Sequence, residues 1–285
     1  MKYKKIRSKQ CIFISFFLSF IVTLIFITTG VLLGGLNQNV IMNGLKKTNY
    51  YQKSYDSFIE QAEAIADSYG QTKEVIAENI SIGSYHIKAN NYFKNELKQA
   101  DMSGIKVAID MELDNIIRQW NTSKKETFGN VTVQESETIE LCADEIADVY
   151  YKSIEFPFVG DIASYREGFI SFLKLALPAG LLAITVLVIT LFVSNTYKHR
   201  ALRYIVHAIT GSNITLFVVG LYLLRIKDQV IQTENARYQA FLNVYYRDSI
   251  VPFFIILCVG ILFAATLHIA VRQMRNGLIA KNKND

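Results

Sequence analysis

Few residues in this chain have the types and spacing that chemistry requires. The acidic stretch 110–114, Asp-Met-Glu-Leu-Asp, starts like a calcium-binding loop, but glycine is missing at its sixth position and glutamate at its twelfth. The four histidines are scattered, and the sequence has no HExxH, GxSxG, CxxC or P-loop motif. We therefore expect no catalytic residue, no metal site and no cofactor, and a protein that is not an enzyme.

One apolar stretch carries small and hydroxylated residues at helical spacing. Residues 11–35 contain no charge, and a helix that turns 100° per residue gathers five of their side chains on one face. These five residues are Ser15, Ser19, Thr23, Gly30 and Gly34. Helices in a bilayer associate through close packing of small residues and through hydroxyl hydrogen bonds. The pattern predicts a helix-packing face, directed at the other spans of the chain or at a second protein.

A lone amide lies in another apolar stretch. Asn213 is near the middle of residues 204–224, beside Gly211 and Ser212. Because an amide in hydrocarbon needs a partner, we expect Asn213 to face the other helices. An interhelical hydrogen bond is the favoured interpretation, and a polar path through the membrane is the alternative.

Four apolar stretches are long enough to position these residues in a membrane. They cover residues 11–35, 169–194, 204–224 and 250–271, each near the roughly 20 residues that span a bilayer. The first is longer than the apolar part of a signal peptide and lacks a cleavage site, so we expect it to be retained. The sequence predicts an all-α integral membrane protein with four transmembrane helices.

Basic residues in the short connecting segments predict the orientation. Lys and Arg are frequent in residues 1–10, 195–203 and 272–285, and positive charge is retained on the cytoplasmic side. Both termini are then cytoplasmic, and residues 36–168 and 225–249 lie outside, although 225–249 also carries basic residues. The composition, rich in Lys, Ile, Asn and Tyr, is typical of a bacterium with an AT-rich genome. We expect a multi-pass protein of the bacterial plasma membrane.

The segment between the first two spans is acidic and has helical periodicity. Residues 36–168 hold 13 Lys and Arg against 21 Asp and Glu, net −8, while the remainder holds 17 against 4, net +13. The basic excess thus follows membrane topology and does not indicate nucleic acid. Apolar spacing predicts helices near 55–69, 72–80, 88–100, 105–120 and 133–151, with a loop at 121–130 and a capping box at Thr132 and Glu135. We expect an acidic, helical extracytoplasmic domain inserted between helices 1 and 2.

These features favour a non-catalytic envelope protein. Its extracytoplasmic domain would bind or sense a protein partner, and the four helices would anchor it in the lipid bilayer as part of a larger complex.

The alternative is a transport subunit. One span, a large outer domain and three further spans resemble the four-helix permeases of the lipoprotein-release and cell-division ABC systems. The stretch 194–213, SNTYKHRALRYIVHAITGSN, looks like the basic segment that those permeases present to their ATPase. The resemblance implies an ATPase partner and coupling through Arg200 and Arg203. Only eleven apolar residues, 214–224, follow Asn213, so a span there must also embed residues 204–213.

Overall fold

The chain is helical throughout the part that the structure describes. The computed structural model describes residues 2–129, 132–156, 159–231 and 236–284 and has no strand among them. The helices are α1 (Lys2–Leu33), α2 (Gln38–Lys47), α3 (Tyr50–Ser68), α4 (Glu74–Asn79), α5 (Ile82–Leu97), α6 (Ser103–Phe128), α7 (Val133–Ile154), α8 (Val159–Ser194), α9 (Lys198–Val230) and α10 (Ala236–Asn284). The predicted all-α class is confirmed.

Four of these helices are long and apolar enough to cross a membrane. The qualifying stretches are Lys9–Leu33, Val159–Ser194, Lys198–Lys227 and Arg237–Gly277. The predicted number of spans is therefore confirmed at the level of length and composition. The helices exceed a hydrocarbon core of about 30 Å, since the 49 residues of α10 alone extend roughly 74 Å. Where each helix enters the bilayer remains a prediction.

The chain forms two compact units. One consists of residues 1–44 and 169–285, and the other of residues 45–168. In the first unit, α1 packs against both α9 and α10, and α9 packs against α10. Among the described residues, one apolar cluster surrounds Leu18, Leu191 and Ala208, and another surrounds Leu216 and Phe253.

The second unit, residues 45–168, is built around three stacked aromatic rings. The Phe58 and Tyr150 centroids are 4.7 Å apart, and those of Tyr85 and Tyr150 are 5.5 Å apart, with nearly parallel ring planes. All three side chains are fully buried. Because each ring comes from a different helix, α3, α5 or α7, the stack joins these helices into one core.

Two large aromatic side chains in this core have partners for their polar atoms. The Tyr85 hydroxyl donates to the Ser153 carbonyl at 2.9 Å and lies 3.0 Å from the Ser54 hydroxyl. The Trp120 indole N–H donates to the Thr72 carbonyl at 2.8 Å. These bonds offset the cost of burying the phenol and the indole, so large aromatic side chains can fill the centre.

Two local predictions in this unit had different outcomes. The capping box is confirmed, because Thr132 and Glu135 each bond the other's backbone N–H at the start of α7. The predicted loop at 121–130 is wrong over residues 121–128, which continue α6. Thr122 and Thr127 donate their hydroxyls to carbonyls four residues back, so their hydrogen-bonding groups have partners within the helix. The helix ends at Gly129, whose φ is 81°. Residue 130 lies outside the described part.

The segments predicted to connect the last three spans are largely helical. In the described residues α9 begins at Lys198, inside the predicted connector 195–203, and continues to Val230. α10 begins at Ala236, well before the predicted span at 250–271. Residues 195–197 are the short break between α8 and α9, so the stretch 198–213 is the first half of a long helix and not a separate element.

Candidate functional site

A charged cleft lies along α3 in the second unit, residues 45–168, which we call the helical unit. A cleft of about 440 Å³ is lined by eight residues, of which four are acidic and one is basic. The carboxylates are those of Asp56, Glu60, Glu63 and Asp67, and the single cation is Lys73. Their spacing of four, three and four residues puts all four carboxylates on one helix face. The sequence analysis did not predict this cleft, although the spacing of the four carboxylates on α3 was visible.

The cleft has a negative electrostatic environment. Burial is the main cause that raises the pKa of the Tyr55 hydroxyl at its wall, and the nearby carboxylates of Asp56 and Glu63 raise it further. Tyr55 donates its proton to the Ile80 carbonyl at 2.8 Å and is therefore fixed in position. An apolar wall from Tyr55 and Ile59 beside four carboxylates suits a ligand that carries cations on an apolar stem.

A second polar cluster is buried between α5 and α6. The Lys88 ammonium lies 2.5 Å from Glu112 Oε1 and donates to the Ser84 hydroxyl at 2.6 Å. Ser84 donates to the same carboxylate, and the Tyr150 hydroxyl reaches its other oxygen at 3.3 Å. An ammonium held by a carboxylate has no free electron pair, so Lys88 cannot serve as the base that would activate Ser84. This cluster therefore fastens α5, α6 and α7 together.

Two carboxylates of the acidic stretch 110–114 contact different side chains. Glu112 turns inward to Lys88, while Asp110 accepts a hydrogen bond from the Tyr151 hydroxyl at 3.0 Å. Their carboxylates do not converge on one point. Within the described residues, no group of three or more His, Cys, Asp or Glu side chains could hold a metal ion.

The cysteine of the helical unit is not a nucleophile at neutral pH. Cys142 is buried in the core. Burial, followed by the Glu145 carboxylate, raises the pKa of its thiol to about 11. The thiol stays protonated, and the thiolate is the reactive form.

Two carboxylates meet at the ends of α5 and α7. Glu96 is half-buried, and its pKa is raised, mainly by burial and further by the charge of Glu155. Glu96 Oε2 has no hydrogen-bond partner in the described residues. Tyr92 points its hydroxyl at Glu155 from 3.5 Å, and burial together with Glu96 and Glu155 raises the Tyr92 pKa to about 12. The ionised form of Glu96 therefore destabilises the folded state.

In the unit formed by 1–44 and 169–285, the hydroxyl residues of the predicted packing face lie toward α9. Ser15 donates its hydroxyl to the Tyr204 carbonyl at 2.8 Å. Ser212 donates to the Ser19 carbonyl at 2.8 Å, and the two serine hydroxyls are 3.4 Å apart. Thr23 bonds within α1, to the Ser19 carbonyl. Two serines of the face thus link α1 to α9 by interhelical hydrogen bonds.

The two glycines of the same face lie against α10. A Cβ placed on Gly30 would come within 2.8 Å of the Phe253 ring, and one on Gly34 would overlap the Ser249 carbonyl oxygen. Only glycine permits this approach, because a side chain at Gly34 would meet backbone. Four of the five residues therefore contact two different helices, the two serines α9 and the two glycines α10.

The contact with α10 continues past the end of α1. Tyr245 donates its hydroxyl to the Gly35 carbonyl at 2.5 Å, and the Phe241 ring lies 3.1 Å from where a Cβ on Gly44 would be. The α10 residues that meet glycines recur every four positions, on one face: Phe241, Tyr245, Ser249 and Phe253. We call this set of contacts the glycine ladder. The sequence analysis did not predict the contacts of Phe241, Tyr245 and Ser249, which fall in the predicted loop 225–249.

Asn213 is almost fully buried between α9 and α10. Its exposed fraction is 5%, and its Oδ1 points at Gly260, where a Cβ would overlap it. Oδ1 has no hydrogen-bond partner in the described residues, and the predicted interhelical hydrogen bond is not made by this atom. The close approach to Gly260 permits a weak Cα–H···O contact. Asn213 also lines a cavity of about 450 Å³ with Thr210 and His268.

Arg200 and Arg203 lie in the first turns of α9. Both side chains are exposed, and the Arg200 guanidinium is 5.3 Å from the centre of the Tyr197 ring. The two arginines are accessible to a partner at this end of the helix.

No protein-family model, curated protein or solved structure matches this chain. The function is therefore inferred from the charges, contacts and cavities described above.

Replacing Gly34 should loosen the glycine ladder more than replacing its neighbour. We expect Gly34→Ala to lower the free energy of unfolding by about 1–3 kcal/mol, because the new methyl group must displace the backbone at Ser249. Gly35→Ala is the matched control, since the nearest atom to its Cβ is the Tyr245 hydroxyl at 3.5 Å, an ordinary contact. Denaturant titration of the full chain in detergent, followed by circular dichroism, measures both. Equal losses would contradict the ladder.

Replacing Glu96 should change how stability depends on pH. A carboxyl group whose pKa is raised on folding contributes stability below its ordinary value of 4.5, and this contribution is lost as the pH rises through the folded-state pKa. We expect Glu96→Gln to melt at a higher temperature than wild type at pH 7 and the difference to shrink toward pH 4. Melting curves across this range test it, with the exposed Glu137→Gln as control. A pH-independent difference would show that Glu96 is not the titrating group.

Proposed function

We propose that this chain is a membrane-anchored, non-catalytic binding protein of the bacterial envelope. Its helical unit, residues 45–168, would lie outside the cytoplasmic membrane and bind a basic segment of a partner, while the four long helices hold it in the bilayer. The observation that carries this proposal is the α3 cleft, in which four carboxylates face one lysine.

The charge distribution supports a basic partner. Residues 36–168 sum to −8, and the cleft concentrates part of this charge next to an apolar wall. Surface charges of one sign attract an oppositely charged partner and align it, even where each pair contributes little affinity. The cleft volume of about 440 Å³ suits a few side chains of a protein segment better than a whole small domain.

The distribution of basic residues supports the orientation. If the basic segments 1–10, 195–203 and 272–285 remain in the cytoplasm, a chain with four spans must place 36–168 and 225–249 on the other side. The acidic unit would then face the envelope, and the partner would be an envelope component.

The chemistry of the helical unit supports binding over catalysis. The Cys142 thiol is buried with a raised pKa, and Lys88 is committed to Glu112. Neither side chain has the free nucleophile or base that covalent catalysis needs.

One observation also favours the second candidate, a permease subunit of an ABC transporter. Arg200 and Arg203 are exposed at one end of α9, where an ATPase could contact them. Against it, the stretch 198–213 belongs to a helix that is itself a candidate span, so it is not a separate coupling segment.

Reversing charges in the cleft should weaken the binding of a basic probe. We expect Glu60→Lys/Glu63→Lys to raise the Kd of a fluorescein-labelled lysine–alanine peptide at least about tenfold, because the cleft would become cationic. The full chain in nanodiscs is titrated and followed by fluorescence anisotropy. Binding to wild type should also weaken as salt is raised.

The matched control makes the same charge change elsewhere on the unit. Glu137 and Glu140 are exposed on α7, and Glu137→Lys/Glu140→Lys should change the Kd by less than about threefold. If both double variants weaken binding equally, the peptide responds only to overall acidity, and the cleft is not the binding site.

A further inference from the structure

The long helices line a large apolar groove. Its volume is about 750 Å³, and α1, α8, α9 and α10 all contribute to its lining. The walls are formed by two stripes at helical spacing on α8 and α10: Ile184, Val188 and Phe192, and Ile255, Val259 and Phe263. The α10 stripe is more than half exposed, so the groove is open along its side.

The groove exists because α8 is set apart from the other long helices. In the described part of the chain, no Cα of residues 169–194 lies within 8 Å of a Cα in α1, α9 or α10. α8 contacts α1 through side chains, including Leu191 near Leu18, and through the Asn195 amide, which is 3.4 Å from Cys11 Sγ. Because protein interiors are close-packed, we expect a gap of this size between helices to be filled by another molecule.

The groove walls are unsuited to a further protein helix. Helices in a bilayer associate at small residues and through polar groups. The one hydroxyl in the lining, on Thr29, is already donated to the Ile25 carbonyl at 2.8 Å. The one glycine, Gly260, faces Asn213. A surface of aliphatic and aromatic side chains without free donors matches a hydrocarbon chain, whose dispersion contacts need no polar partner.

A basic residue lies one helical turn beyond one end of the groove. Leu202 lines the groove, and Lys198, four residues earlier, projects from the same face of α9. Lys198 is exposed and has no ion-pair partner among the described residues. The first turn of α9 contains no acidic residue, and its N-cap residue Tyr197 makes no side-chain cap, so the helix dipole adds to the positive potential.

We propose that this groove binds the acyl chains of an anionic phospholipid whose phosphate lies beside Lys198. The thirteen residues from Ile255 to Leu267 extend the apolar wall for roughly 18 Å, about half of a hydrocarbon core and the depth of one leaflet. The lipid would fill the gap between α8 and α10 and join α8 to the other helices. This site is separate from the α3 cleft and does not depend on the proposed partner.

Native mass spectrometry of the full chain tests this site. The protein is reconstituted with equal amounts of phosphatidylglycerol and phosphatidylcholine and then extracted in mild detergent. We expect wild type to retain one phospholipid, preferentially phosphatidylglycerol. Val188→Trp should reduce the retained fraction at least about tenfold, because the indole takes the place of several methylenes. Val186→Trp is the matched control, since that residue is on α8 but outside the groove lining and should retain the lipid.

A second pair of variants tests the headgroup. Lys198→Ala should lower the preference for phosphatidylglycerol about fivefold, the effect of one basic residue near a phosphate, while Arg200→Ala, on another face of α9, should not. Circular dichroism checks that each variant is folded, and Ile184→Phe replaces Val188→Trp if that variant is not.

Three results would overturn the proposal. Wild type could retain no phospholipid, or Val188→Trp could retain as much as Val186→Trp. A second copy of the chain, retained by wild type and lost in Val188→Trp, would show that the groove binds a protein helix.

Discussion

The close approach of α1 to α10 at Gly34 is the contact on which the helix bundle depends. There the backbone of Ser249 occupies the space that a side chain would need, so the separation of the two helices is fixed by backbone atoms. Side chains can adopt other rotamers to fill a gap, whereas two backbones in contact have no such freedom. The glycine ladder then repeats this approach in both directions, from Phe253 beside Gly30 to Phe241 beside Gly44.

The positions of the other long helices follow from this contact. Ser15 and Ser19 bond α9 from the same α1, and Asn213 places α9 against Gly260 of α10, so three helices share mutual contacts. α8 meets the others mainly through apolar side chains, with Gly180 opposite Ile25 of α1 and the Asn195 amide just past its end, and the wide groove lies beside it.

The two units use opposite means to bury polar atoms. In the helical unit, a charged pair is enclosed and fully bonded, since Lys88, Ser84 and Tyr150 all contact Glu112. Such a cluster is costly to break and specifies how α5, α6 and α7 meet. Between the long helices, the polar groups described above are hydroxyls and the amides of Asn195 and Asn213. The charge that remains on the surface of the helical unit is then available to a partner, above all at the α3 cleft.

Features that depend on neighbouring residues could be predicted from the sequence. Helical periodicity located α3 to α7, and the capping box at Thr132 and Glu135 follows from a local pattern that needs no tertiary contact. The length of the apolar stretches predicted four candidate spans because the bilayer sets that length. The same reasoning gave a wrong prediction for the polar stretch 121–128. Ser and Thr occur in loops, but they also fit a helix in which their hydroxyls bond carbonyls of the preceding turn.

Features that depend on distant partners could not be predicted. One narrow face on α1 was visible from spacing, but its division between α9 and α10 is decided by residues about 190 to 220 positions away, at Ser212 and Ser249. Glu112 was seen as part of an incomplete calcium loop, while its actual partner, Lys88, is on another helix. The groove beside α8 arises because α8 does not pack closely against α9 and α10, and the composition of the helices does not predict this.

Accessibility of two cysteines in intact cells tests the central claim most directly, namely that residues 45–168 lie outside the cytoplasmic membrane. With Cys11, Cys142 and Cys258 replaced by alanine, single cysteines are introduced as Lys124→Cys on α6 and Asn276→Cys near the end of α10. A membrane-impermeant maleimide should label the cysteine at 124 in intact cells and the cysteine at 276 only after the membrane is opened. The reverse pattern would place the acidic cleft in the cytoplasm and contradict the account.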